Sequence, residues 1–161
     1  MIDNTELSEQ NTVDISFRSI NKQLWMNGME DFCYRILKEL GKRKTELSIL
    51  FCKDDFIKQL NIKYRSIKSA TDVLAFNQEN DNGFVRQTPL PLYDGERKQY
   101  LGDIVISVDT LLKNALTFKV EPGEELKRLI IHGILHLIGM DHEKPESGMI
   151  KLQEKLLERI K

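Results

Sequence analysis

The sequence predicts a single α+β domain, a small mixed β-sheet packed by helices, on three observations. Strand-like alternation of apolar residues gives way to helical spacing and then returns. No segment repeats, and the 161 residues are enough for one sizeable core. Hydrophobic residues at 40% and charged residues at 30% are an ordinary balance for a folded chain.

Residues 1–12 are polar and read as a flexible N-terminus, leaving 13–161 as the domain. Val13, Ile15 and Phe17 alternate with polar neighbours and predict a half-buried strand. Trp25, Met29, Phe32, Cys33, Ile36, Leu37 and Leu40 then trace an amphipathic helix stopped at Gly41. Leu47 to Cys52 predicts a second strand, so a right-handed parallel crossover is the expected connection.

Asp54 or Asp55 is the expected cap of a short helix that carries Phe56, Ile57 and Leu60 and runs out near Tyr64–Arg65. Val73–Phe76 and Leu101–Val108 predict two more strands. The polar stretch Asn77–Tyr100 between them is long enough to predict a functional or mobile loop. Asp109 or Thr110 is expected to start a helix with Leu111, Leu112, Ala115 and Leu116 on its apolar side. Pro122 suits the first turn of the next helix, and Ser147–Ile160 repeats Leu152, Leu156 and Ile160 as a closing amphipathic helix.

The formal net charge of -1 provides no global basic field, so contact with nucleic acid requires a local patch. Lys63, Arg65 and Lys68 form one candidate. Lys42, Arg43 and Lys44 form another, but they follow Gly41 and read better as a charge group at a helix C-terminus. Cys33 and Cys52 lie in apolar patterns and are expected to be buried, reduced thiols. The first residues show neither a basic nor an apolar leader, and no run approaches about eighteen apolar residues, so a cytoplasmic protein without a membrane span is expected.

The chain has 3 histidines, His132, His136 and His142, all in one short window. His132 and His136 are one helical turn apart and share a face, so their rings converge on a point that one metal ion can occupy. Gly139 tolerates positive φ and can end the helix, which lets the chain double back and bring His142 to the same ion. Three nitrogen ligands with an open fourth position are the pattern of catalytic zinc. The competing reading is a set of hydrogen-bonded structural histidines.

The ligand spacing, with Gly139 between the second and third histidine, resembles the H-E-x-x-H-x-x-G-x-x-H signature of the metzincin zinc proteases. Where those proteases carry the glutamate base, this chain has Gly133, which cannot take a proton from water. A peptidase is therefore the weaker expectation unless a carboxylate from elsewhere fills the gap.

The whole string His132-Gly133-Ile134-Leu135-His136-Leu137-Ile138-Gly139-Met140-Asp141-His142 is similar to the H-G-x-L-H-L-x-G-x-D-H signature of the YbeY family, bacterial endoribonucleases of ribosomal RNA maturation. Thr71-Asp72-Val73-Leu74-Ala75-Phe76 resembles the family's P-T-D-V-L-S-F segment, with Ala70 for its usual Pro and Ala75 for its usual Ser. Leu101-Gly102-Asp103-Ile104-Val105-Ile106-Ser107 resembles its L-G-D-I-x-I-S strand, and Asn61-Ile62-Lys63-Tyr64-Arg65 its N-x-x-Y-R motif. The four motifs run in order through the chain.

The resemblance implies a single-strand-specific endoribonuclease acting on ribosomal RNA precursors, notably at the 3′ end of the small-subunit RNA, and on defective ribosomes. It implies one zinc ion on His132, His136 and His142, and ribosomal RNA with ribosomal subunits or an assembly factor as partners; no DNA is expected. Arg65, matched to N-x-x-Y-R, would clamp the scissile phosphate, a surface salt bridge being its plainer role. Asp141, Asp72 and Asp103 are candidates either for orienting a ligand histidine or for turns and caps. The attacking group is open between zinc-activated water and the substrate's 2′-OH. The alternatives are a zinc-dependent hydrolase of peptides or other small substrates, and a non-catalytic ribosome-associated module whose zinc takes a fourth ligand from Cys52, Cys33 or a carboxylate.

Overall fold

The computed structural model describes residues 10–78, 99–141, 143–144, 146 and 148–160. In chain order the elements are β1 (Thr12–Phe17), a 3-10 turn (Leu24–Met26), α1 (Met29–Glu39), β2 (Thr45–Cys52), α2 (Asp54–Arg65), β3 (Val73–Asn77), β4 (Gln99–Ser107), α3 (Val108–Phe118), α4 (Pro122–Leu137) and α5 (Met149–Arg159). Residues 1–9 of the expected flexible segment and most of the expected Asn77–Tyr100 loop lie outside the described residues. Of that segment, Asn11 bonds the Lys42 carbonyl at 2.8 Å and the Thr45 amide at 3.0 Å, and Thr12 opens β1. Of that loop, Asn77 closes β3 while Gln99 and Tyr100 open β4.

The four strands form one sheet in the order β1-β2-β4-β3. β1, β2 and β4 run parallel, and β3 pairs antiparallel with β4 along the other edge. Side-chain alternation sorts the residues onto two faces. Val13, Leu47, Ile49, Phe51, Ile104 and Ile106 join the larger core under α1, α4 and α5. Cys52, Phe76 and Val105 join a smaller one with Ile57 and Leu60 of α2. The mixed sheet covered by helices is the α+β architecture the sequence predicts, and among the described residues no helix is long and apolar enough to cross a membrane.

Several boundaries differ from the periodicity. The helix expected from Trp25 is interrupted: Leu24–Met26 forms a 3-10 turn, Gly28 adopts φ 80, and α1 begins only at Met29. Asp54 and Asp55 stand inside the first turn of α2, whose cap is Lys53. Ser107 rather than Asp109 or Thr110 caps α3, accepting a bond from the Thr110 amide, so the helix starts at Val108 without a loop after β4. Pro122 opens α4 as expected. Cys33 and Cys52 are free and buried. Burial, reinforced by nearby Glu30 and Asp55 respectively, pushes both thiols up to about 12, which keeps them protonated and inert.

The starts of α2 and α3 lock together through Asp54. Its carboxylate accepts bonds from Ser107 Oγ at 2.6 Å and Thr110 Oγ1 at 2.5 Å, and its own amide donates to Asp109 Oδ2 at 2.9 Å. Each helix thereby satisfies polar groups of the other where both leave the same end of the sheet.

Burial acts to raise the Asp54 carboxyl, but the bonds from Ser107, Thr110 and Lys113 outweigh it and hold the carboxyl below its ordinary value. The folded protein therefore binds this proton less readily than the unfolded chain. The contribution is present at neutral pH and is lost as the pH falls through the lowered pKa. Asp54→Asn is expected to cost about 1–3 kcal/mol at neutral pH, and the difference from wild type should shrink below about pH 4. Urea titrations at both pH values check this; a gap that widens in acid would contradict it.

Candidate metal and RNA site

α4 is apolar on nearly every side, burying Leu126, Leu129, Ile130, Ile131, Ile134, Leu135 and Leu137. Two glycines set how close it lies to the sheet. At Gly133 an added Cβ would stand 3.0 Å from Ile104 side-chain atoms of β4. At Gly102 on β4 an added Cβ would stand 2.1 Å from the Phe76 carbonyl and 2.9 Å from Leu137, and its φ of 141 is one that L side chains rarely adopt. The C-terminal turn of α4 thus packs where β3 and β4 meet. Asn77 Nδ2 donates to the Leu137 carbonyl at 2.6 Å, occupying one of the acceptors the helix end leaves open.

His132 and His136 project from the half-buried stripe of α4, their Nε2 atoms 3.2 Å apart and their ring planes inclined at 74°. Two imidazoles bound to one tetrahedral zinc at about 2.0–2.1 Å each hold their nitrogens about 3.3 Å apart, so the pair is spaced for a shared ion. The His132 Nδ1 meets Gln153 Oε1 of α5 at 2.9 Å. A carboxamide oxygen only accepts, so His132 carries its proton on Nδ1 and turns the Nε2 lone pair toward His136. This is the arrangement by which an outer partner fixes a metal-ligating histidine.

Gly139 has φ 96, and the Met140 amide reaches back to the Leu135 carbonyl at 3.0 Å, closing the helix as the sequence anticipates. Asp141 Oδ1 then accepts the Glu143 amide at 2.9 Å. His142 itself lies outside the described residues. Among the described residues no group of three metal-ligating side chains assembles.

The other candidates are dispersed. Asp72 bonds Asn114 Nδ2 at 3.0 Å and Arg128 at 3.4 Å, within a network completed by the buried Glu125. It braces α3 and α4 rather than a histidine. Asp103 follows the opposite alternation from Ile104, so it points to the sheet face away from α4, where Ser48 donates to it at 2.5 Å and Tyr100 also donates. Arg65 is exposed, lies 5.0 Å over the Phe76 ring and donates Nη2 to the Ala75 carbonyl at 3.0 Å. It therefore rests on the same end of β3 that Asn77 ties to the histidine helix.

Gln153 escapes the sequence reading, although a signal for it exists. Met149, Gln153 and Leu156 are the buried positions of the closing helix, and a lone amide among them needs a polar partner. The Leu152, Leu156, Ile160 pattern puts the buried stripe slightly off, since Leu152 is only half-buried.

The Gly133 contact bears on the protease-like spacing, because a glutamate there would begin inside the Ile104 packing rather than beside an ion. Gly133→Ala should cost about 1–3 kcal/mol from overpacking, offset by up to about 1 kcal/mol of helix propensity, with Ile104→Val recovering part of the loss. Gly133→Glu should destabilise the fold far more and produce no peptidase activity. Thermal melts and a casein assay check both outcomes; a stable, proteolytic Gly133→Glu would overturn this reading of the position.

The fold and the motifs also have counterparts among known proteins. The family model described as Endoribonuclease YbeY matches residues 9–161. An endoribonuclease YbeY of Treponema denticola is 49% identical over 135 residues, covering 83% of this chain and 82% of its own. That of Treponema pallidum is 39% identical over 153 residues, covering 94% and 91%. The solution structure of a Thermotoga maritima protein superposes with a TM-score of 0.58 at 26% identity, covering 92% of this chain and 88% of its own. With a family model spanning nearly the whole sequence and relatives this similar over most of their length, the chain belongs to the endoribonuclease YbeY family.

Proposed function

We propose that the chain is a single-strand-specific, zinc-dependent endoribonuclease that trims ribosomal RNA precursors, notably at the 3′ end of the small-subunit RNA, and degrades RNA of defective ribosomes. An enzyme acting on RNA follows from family membership. The observation that carries the metal part is the 3.2 Å approach of His132 and His136 with Gln153 fixing one tautomer. His132, His136 and His142 are the proposed ligands.

Zinc, when bound there, supplies Lewis acidity toward a phosphoryl oxygen and acidifies water. Arg65 is the proposed phosphate clamp: its planar guanidinium takes phosphate oxygens in pairs, and the Phe76 ring and Ala75 carbonyl set its plane beforehand. Asn77 keeps that strand end fixed to α4. Gly133 places no carboxylate on the histidine turn, so a base from that position has no part in the reaction. We place the activity in the cytoplasm, with ribosomal subunits or an assembly factor presenting the RNA, because a net charge of -1 gives little unspecific hold on a polyanion.

The deciding assay is cleavage of a ribosomal RNA fragment with a single-stranded 3′ extension by wild type and His136→Ala purified in parallel. Wild type should cut and His136→Ala should not; equal cutting by both would sink the assignment. Arg65→Ala and Arg65→Lys should each slow cleavage about 100-fold or more, as loss of a transition-state donor does. Rates equal to wild type would remove the clamp role. A 2′,3′-cyclic phosphate on the product would identify the 2′-OH as attacking group, and inertness of a 2′-deoxy substrate should accompany it.

Gln153→Leu should weaken zinc retention about 10–100-fold in chelator competition, whereas Gln153→Glu, which keeps an acceptor, should retain it. Equal retention by Gln153→Leu and wild type would show that the amide does not serve a metal ligand.

A further inference from the structure

The sheet face opposite the histidines carries a concentration of positive charge. Between residues 53 and 68 the chain places Lys53, Lys58, Lys63, Arg65 and Lys68 against Asp54 and Asp55, in a protein whose net charge is -1. Asp54 is spent on Ser107 and Thr110. The five basic side chains are exposed, and among the described residues none of Lys53, Lys58, Lys63 or Lys68 forms a salt bridge.

Three cations along this face lie over aromatic rings. Arg18 sits 4.2 Å from the Phe56 ring, Lys63 5.1 Å from Tyr64 and Arg65 5.0 Å from Phe76. Where β1 and β2 end, a cavity of about 120 Å³ opens at the start of α2, lined by Arg18, Ser19, Lys53, Asp55, Phe56 and Gln59. Asp55 contributes a carboxylate to that lining, partly engaged by the Phe56 amide at 2.8 Å, and the two cations outweigh it. Ile62 and Ile67 remain 43% and 49% exposed further along, adding apolar surface between the charges.

We propose that the outer face of α2, from the Arg18–Lys53 cavity to Arg65, is a track that binds single-stranded RNA and leads it to the candidate site. This rests on the endoribonuclease reading and extends it to where the substrate lies beyond the cleaved bond. The chemistry is that of single-strand binding surfaces, in which cations follow the phosphates while aromatic and apolar groups lie under the bases. The direction follows from the fold. α2 has 12 residues and so is about 18 Å long; it starts at the cavity and ends at Arg65, which rests on Ala75 beside the strand end that Asn77 joins to α4. A chain lying along it therefore passes from the cavity to the proposed phosphate clamp. Phe76 is buried and only seats Arg65, but half-buried Phe56 and Tyr64 with exposed Ile62 and Ile67 offer flat and apolar surface between the charges. An acidic protein would match the charge as well, but that combination favours a ligand that offers phosphates and flat bases together.

The test is fluorescence anisotropy of a labelled, unstructured oligoribonucleotide on the full chain carrying His136→Ala, so that the RNA stays intact, over a series of salt concentrations. Two double variants, Arg18→Gln with Lys53→Gln and Lys58→Gln with Lys63→Gln, are compared with Lys151→Gln and Lys155→Gln on the exposed side of α5. Each track variant should weaken binding and flatten the plot of log affinity against log salt by about 0.7 per contact removed, with the α5 variant unchanged. Wild-type affinity and slope in both track variants, or no binding at all, would overturn the track, and unchanged RNA affinity with lost capture of an acidic partner would give the face to that partner. Cleavage of the same RNA by the unaltered chain reports separately on the nuclease reading, so a track without cleavage and cleavage without a track are distinguishable results.

Discussion

The close seating of α4 on β4 is the contact on which the other features of the site depend. A helix carrying two ligand-type histidines positions them only if its own depth and rotation are fixed, and side chains of ordinary size would leave both adjustable. Here Gly133 lets the helix settle onto Ile104, and Gly102 lets the end of β3 and Leu137 meet over a strand without a side chain. The apolar residues around them drive the association, each fully buried Leu or Ile contributing about 1.5–3 kcal/mol. The glycines decide where it stops.

That seating explains how polar groups can be built into an apolar helix. His132 and His136 occupy the half-buried margin, where one ring nitrogen of His132 is committed to Gln153 and the two Nε2 atoms face each other. One turn earlier on the same side, Arg128 is held by the buried Glu125 at 2.5 Å and by Asp72. The carboxylates, together with its hydrogen bonds, keep Arg128 firmly protonated. One stripe of α4 thus carries a neutralised arginine and then two imidazoles, with the fixed charge balanced by its own carboxylates. A buried unpaired cation beside the histidines would oppose a metal ion by like-charge repulsion.

Much of this was legible in the sequence because it depends on local rules. His132 and His136 had to share a face once the segment was helical, and Gly139 had to turn once the helix ended. The alternation of β1 and the run in β2 required nothing beyond the residues themselves. The misplaced features are those decided between elements. Trp25 fits the helical period of α1, yet Gly28 separates it from the helix. Asp54 has the composition of a cap, yet its side chain reaches across to Ser107 and Thr110 of a different helix. Asp103 belongs to a motif beside the site, but alternation along β4 sends it to the far face. Gln153 is the converse case, a residue with no local chemical signature whose role exists only because α5 packs beside α4.

The two faces of the sheet divide the work, and β3 connects them. On one side the larger core holds the histidines at a fixed depth, which requires apolar contacts and excludes free charge. On the other, α2 turns its outer surface to solvent, so it can hold basic side chains at no cost to the core. Net charge conceals this division, because acidic residues elsewhere cancel the cations in the sum without neutralising them in space. β3 is the element through which the two faces are joined. Its residues Ala75 and Phe76 hold Arg65 from the α2 side, and the next residue, Asn77, bonds the end of the histidine helix. Any shift of β3 along β4 would therefore move the arginine and the histidines relative to each other. The antiparallel pairing of Val73–Asn77 with β4 holds that register, and Gly102 leaves room for the end of β3 to approach where a side chain would collide with the Phe76 carbonyl.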